Sequence, residues 1–134
     1  MCYLNVFEHG NRCHTRMVEM TDMFMRLINV AVDYSDLVMD LRTSIFCNYF
    51  VAQPVFWEKW FTFTERMFQI CEFETGELSD RIKGLTDYRQ KTPVDMKVFI
   101  AKRIASLILA LDPTLSVAAY DIEKMPWYEV TYSP

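Results

Sequence analysis

Apolar residues recur every three or four positions along most of this chain. Between about residues 15 and 32, Met17, Met20, Phe24, Leu27, Ile28 and Ala31 fall on one side, while Arg16, Glu19, Asp22 and Arg26 hold the other. That spacing predicts an amphipathic helix. A second helix is predicted to open at Pro54, because proline suits a first turn whose N–H would have no partner. Its stripe runs through Phe56, Trp60, Phe63, Met67 and Ile70 and is widened by Trp57, Phe61 and Phe68, until Glu74-Thr75-Gly76 breaks the period near Phe73. A short helix follows from Glu77 to Leu85, with Leu78, Ile82 and Leu85 on one side. Thr92 as cap, Pro93 in the first turn and Asp95 three residues after Thr92 make a capping-box pattern, which predicts a helix from Pro93 to Leu111. Its last turns, Ile104 to Leu111, are apolar nearly all round, as a helix through the centre of a core must be.

Other stretches lack the helical period. Tyr3, Leu4, Val6 and Phe7 form an apolar run that gives way to Glu8-His9-Gly10-Asn11-Arg12, which reads as an extended segment ending in a turn. Asp33-Tyr34-Ser35-Asp36 interrupts the period and reads as a turn or a new helix start, since short acceptor side chains compete for backbone donors. Ile45 to Ala52 is aromatic and β-branched and has the length of a buried strand, with Asn48 its one amide. A short strand is expected at Leu115 to Tyr120, and the segment from Asp121 to Pro134 has no helical period. The fold class expected is therefore α+β and helix-rich: three main helices with a few short strands, in a single domain spanning residues 1–134.

Composition narrows the class further. With 134 residues, 51% hydrophobic and 24% charged, the chain has material for a real core and is too apolar for a disordered one. Three glycines and five prolines supply few tight hairpins, which argues against a sandwich or barrel. A formal net charge of -4 provides no positive field for nucleic acid, so no nucleic-acid partner is expected. No run approaches the ~20 apolar residues of a membrane span, and Met1 to Asn5 does not read as a signal peptide. A cytoplasmic location and four reduced cysteines, with no C-x-x-C pair, are the corresponding expectations.

The densest polar cluster is Glu8, His9, Arg12, Cys13 and His14, and it holds both histidines. Imidazole, thiolate and carboxylate are zinc ligands, but no downstream pair completes a tetrahedral set, so a solvated turn is the favoured reading and no metal is assigned. Asn48 must satisfy its amide through backbone or a ligand. Arg103, inside Ile100-Ala101-Lys102-Arg103-Ile104-Ala105, either clamps a phosphate or carboxylate, or snorkels to the surface or pairs with an acid, the structural role being the commoner. Met17, Met20, Met23 and Met25 suit either core packing or an adaptable binding surface. The aromatic set Trp57, Trp60, Phe61 and Phe63 suits either a buried face or a platform for sugar rings or a protein. Glycine-loop, nucleophile-elbow and H-E-x-x-H motifs are absent from the sequence.

One stretch carries a family resemblance. Thr43-Ser44-Ile45-Phe46-Cys47-Asn48-Tyr49-Phe50-Val51-Ala52-Gln53-Pro54-Val55-Phe56-Trp57-Glu58-Lys59-Trp60, followed by Val98-Phe99-Ile100-Ala101-Lys102-Arg103-Ile104-Ala105-Ser106-Leu107, resembles the C-terminal, acceptor-side portion of bacterial glycosyltransferase-like proteins of surface polysaccharide. The resemblance covers about residues 43–110. It implies a module that binds or modifies a carbohydrate acceptor, with Asn48 and Arg103 nearest the acceptor, and the cleft expected on that reading is lined by Asn48, Arg103 and the residues Glu8 and His9. The chain lacks the nucleotide-binding half and the D-x-D motif of such enzymes. A divalent metal and a nucleotide sugar are therefore implied only for an active transferase, and the chain is expected to be a fragment of a larger transferase, a partner that completes one or a relic domain that binds without catalysing, packed in a homo-oligomer or a larger transferase assembly. The alternative from a different class is a non-enzymatic protein–protein interaction or dimerisation domain, presenting aromatic and methionine surface to a partner.

Overall fold

The computed structural model describes residues 3–46, 50–86 and 94–118. Five helices follow one another: α1 (Val6–Cys13), α2 (Met17–Leu27), α3 (Pro54–Phe73), α4 (Glu77–Lys83) and α5 (Met96–Leu111). The helix-rich expectation holds. The strands do not: among the described residues the only β pairing is an isolated antiparallel bridge between Leu85 and Asp95. Residues 45, 46 and 50–52 of the expected strand are irregular, as are 115–118. The rest of those two segments lies outside the described residues.

The expected extended segment at the start of the chain is instead α1. Asn5 is its N-cap, its Oδ1 accepting from the backbone N–H of Phe7 at 3.0 Å and of Glu8 at 2.9 Å. The Glu8 carboxylate reaches back to accept from Leu4 N at 3.0 Å. These bonds satisfy donors that a helix start leaves over, and Asn5 followed three residues later by Glu8 is close to a capping-box pattern. Asn5 does more than cap. Its Nδ2 donates to the carbonyls of Tyr34 and Leu37 at 2.9 and 3.0 Å, fastening the 34–37 turn to the start of α1.

α2 stops at Leu27, short of the predicted Val32. Asn29 takes a left-handed conformation with φ 59°, so Val30 N donates to Met25 O and Asn29 N to Arg26 O at 2.9 and 3.0 Å. This is the paired-bond helix stop that a left-handed residue makes possible, and asparagine tolerates that conformation better than most side chains. Of the turn or helix start expected at Asp33–Asp36, the turn forms, closed by Ser35 N donating to Asp33 Oδ1.

α3 spans the predicted residues. α5 runs from Met96; the expected cap Thr92 and first-turn Pro93 lie outside the described residues, while Met96 N donates to Gly84 O and Thr86 N to Val94 O, which holds Val94 and Asp95 extended beside the end of α4. α5 is the centre of the fold and packs against α1, α2, α3 and α4. Phe99, Ile100, Arg103 and the whole run Ile104–Leu109 are buried, which is why this stretch is apolar nearly all round. α3 lies antiparallel to it: Lys59 pairs with Asp112 at 3.1 Å at one end and Lys97 with Glu72 at 3.2 Å at the other. Ser106, fully buried on α5, holds the loop before α3 by both backbone groups of one residue, its Oγ accepting from Ile45 N at 2.7 Å and donating to Ile45 O at 3.0 Å.

Candidate functional site: the α1–α5 junction and the outer face of α3

Where α1 crosses α5, the buried guanidinium of Arg103 is 8% exposed. Its Nε donates to Val6 O at 3.0 Å and its Nη1 to Phe99 O at 2.8 Å. These charge-assisted bonds to backbone carbonyls offset part of the cost of burying a cation. The approach is close because α1 carries Gly10 there: a Cβ added to Gly10 meets Met17 Cε at 1.9 Å and Arg103 Nε and Nη2 at 2.8 and 2.9 Å. Gly10 sits in ordinary helical conformation, so it is required for space alone.

His14 follows α1 and is buried, stacked on Phe99 with ring centroids 3.7 Å apart. Burial, together with the positive charge of Arg103, holds its pKa down at about 4, so the imidazole is neutral at pH 7. His9 is half-buried and gripped edge-on by the rings of Tyr3 and Phe46 at 5.2 and 5.8 Å, and its buried Nδ1 has no hydrogen-bond partner among the described residues. The favoured reading of this cluster as a solvated turn is thus corrected: the segment is a helix with His9 half-buried on it and His14 buried just beyond its end, and only Arg12 and Cys13 of the cluster are exposed. Among the described residues no group of three or more His, Cys, Asp or Glu side chains converges to hold a metal. Cys71 is a buried thiol whose pKa burial raises, and Cys13 is exposed; both are free.

Of the four sequence-derived acceptor residues, Glu8 closes the α1 cap, His9 lies among rings, Arg103 binds backbone carbonyls, and Asn48 lies outside the described residues. Two surface hollows, of about 420 and 290 Å³, are lined by other residues, the larger by Ile28, Val30, Thr62, Phe63, Glu65, Arg66 and Gln69.

The outer face of α3 departs most from the sequence expectation. Phe56, Met67, Ile70 and Cys71 are buried, and Trp60 and Phe63 are half-buried against the core. Phe61 and Phe68, expected to widen that stripe, are 49% and 58% exposed. Successive residues advance about 100° round a helix, which places Trp57, Phe61 and Phe68 on a second stripe turned away from the core. The rings form a ladder from inside to outside. Phe50 contacts Phe56 and stacks on Trp57 at 5.2 and 5.1 Å, and Trp57 leans on Phe61 at 6.0 Å. Phe68 meets Phe73, itself 77% exposed, at 5.9 Å.

No family model matches the chain, and no curated protein or solved structure matches it either. The described residues define its class by geometry: a domain of five helices packed round α5, in which no helix is long and apolar enough to cross a membrane.

Proposed function

We propose that this domain is a non-enzymatic protein–protein interaction module whose docking surface is the outer face of α3. The observation that carries the reading is the exposed aromatic stripe of Phe61 and Phe68 with half-buried Trp57, set on a rigid twenty-residue helix. Aromatic side chains are the residues interfaces favour, because each removes a large apolar area from water while few rotatable bonds are fixed. The polar groups at the α1–α5 junction support the same reading, since Arg103 and Glu8 are engaged in holding the helices together. A photoreactive amino acid placed at position 61 or 68 in cell extract tests this, with the 94% exposed Leu41 as control position. Polypeptide adducts in excess at 61 and 68 are expected. Adducts no more frequent there than at position 41 refute the reading.

Sugar binding is the second reading. Besides the family resemblance, its support is that the exposed ring of Phe61 beside Trp57 offers a stacking surface for a pyranose. Calorimetric titration with sugar nucleotides, with and without Mn²⁺, and with oligosaccharides tests it. Saturable heat from one of them, lost in Trp57→Ala, supports acceptor or donor binding, and a silent panel removes it.

A further inference from the structure

The face of α3 also specifies the charge of what docks on it. Glu58, Glu65 and Glu72 recur one heptad apart and form an acidic edge beside the stripe of Trp57, Phe61 and Phe68. The cations of α3 itself are already taken, Lys59 by Asp112 and Arg66 by Glu74, and Lys97 of α5 pairs with Glu72 and Asp95. Glu58 and Glu65 are exposed and have no ion-pair partner among the described residues. An apolar stripe bordered on one side by unneutralised carboxylates is half of a helix-pairing interface, in which flanking charges select the partner and its orientation.

Resting on the interaction-module reading, we infer that the outer face of α3 binds an amphipathic helix of another protein that carries lysine or arginine along one border of its apolar seam. A second copy of this chain fits less well. In a two-fold antiparallel pairing of two α3 helices, the rotation axis lies in the interface and carries each acidic edge to the same side as its mate, so carboxylate faces carboxylate. In a parallel pairing the acidic edge faces the border formed by Thr64 and Cys71, which bears no cation. An anionic lipid surface is disfavoured by the same carboxylates.

The test uses the full chain and two designed peptides of about five turns with the same leucine seam, one flanked by lysine and one by glutamate, titrated by calorimetry. The lysine-flanked peptide is expected to bind about tenfold more tightly than the glutamate-flanked one, with the difference shrinking as salt screens the charges. Glu58→Lys with Glu65→Lys, two exposed positions outside the core, should invert that order, and Phe61→Asp with Phe68→Asp should remove both interactions. Equal binding of the two peptides, or no binding of either, overturns the inference. So does sedimentation showing a dimer of the wild-type chain that Phe61→Asp dissociates, because the occupant is then a second copy. Crosslinks to a polypeptide from positions 61 and 68 without any charge preference sink this inference and leave the interaction-module reading standing.

Discussion

Gly10→Ala isolates the close crossing of α1 and α5. In an ordinary helix interior the change stabilises by about 1 kcal/mol, since alanine restricts the unfolded backbone and favours the helix. Here the new methyl arrives 1.9 Å from Met17 Cε and under 3 Å from two nitrogens of Arg103. Met17 is a flexible side chain, but it is fully buried, so moving its end means shifting core neighbours as well. Arg103 Nε is fixed by Val6 O, and displacing it forfeits a charge-assisted bond worth about 1.5–3 kcal/mol. Overpacking adds about 1–3 kcal/mol. The steric and hydrogen-bond losses outweigh the helical gain, and the net destabilisation expected is about 2–3 kcal/mol. Urea denaturation read by circular dichroism measures it as a lower midpoint at unchanged slope. A variant as stable as the parent, or more stable, refutes the claim that the guanidinium lies against Gly10.

The other predictions follow from single contacts. Asn5→Asp keeps the acceptor that caps α1 but loses the donors to Tyr34 O and Leu37 O, so it should cost about 1–3 kcal/mol in a urea titration; an Asp variant as stable as wild type would show those two bonds to be idle. Ser106→Ala removes both bonds to Ile45, and mass-spectrometric hydrogen exchange should rise at the Ile45 amide before anywhere in α5; unchanged protection there contradicts the anchor. His14 has its pKa lowered from 6.5 to about 4 in the fold, so the unfolded chain binds the extra proton first as pH falls. The stability linked to neutral His14 is fully present above pH 6.5 and declines toward pH 4, by about 3 kcal/mol at most. His14→Phe, which keeps a ring on Phe99, should flatten that part of the stability–pH curve, and an unaltered slope would assign it to other groups.

The helices were legible where one apolar stripe met one core. α3 was predicted end to end because Pro54 opens it and Gly76 follows its last turn, and the apolar run Ile104–Leu109 announced a central helix correctly. The misses have local causes. α1 is short and its helical period brief, so the apolar residues at its start read as extended, and only the Asn5–Glu8 spacing hinted at a cap. α2 ends early because Asn29 turns left-handed, a choice that composition does not force. Periodicity also could not tell the two apolar stripes of α3 apart, since Trp57, Phe61 and Phe68 lie only about one residue's rotation from the buried set. Which of two neighbouring stripes meets the core depends on where α5 and α4 lie, and that is settled by the whole fold. The carboxylates Glu58 and Glu65 carry no signal in the sequence for a related reason. Their lack of partners becomes visible only when Lys59, Arg66 and Lys97 are seen with other acids.

The bond from Arg103 to Val6 spans 97 positions of the chain, and this gives the fold a clock. On a ribosome adding roughly 5–20 residues each second, α1 emerges and then waits on the order of 5–20 s before the helix that receives it has been made. During that interval Phe7 and Met17, fully enclosed in the finished domain, have no α5 to cover them, and a short helix such as α1 is marginal alone in water. For that interval α1 is left without the helix that covers it, open to chaperones and to neighbouring nascent chains until α5 arrives.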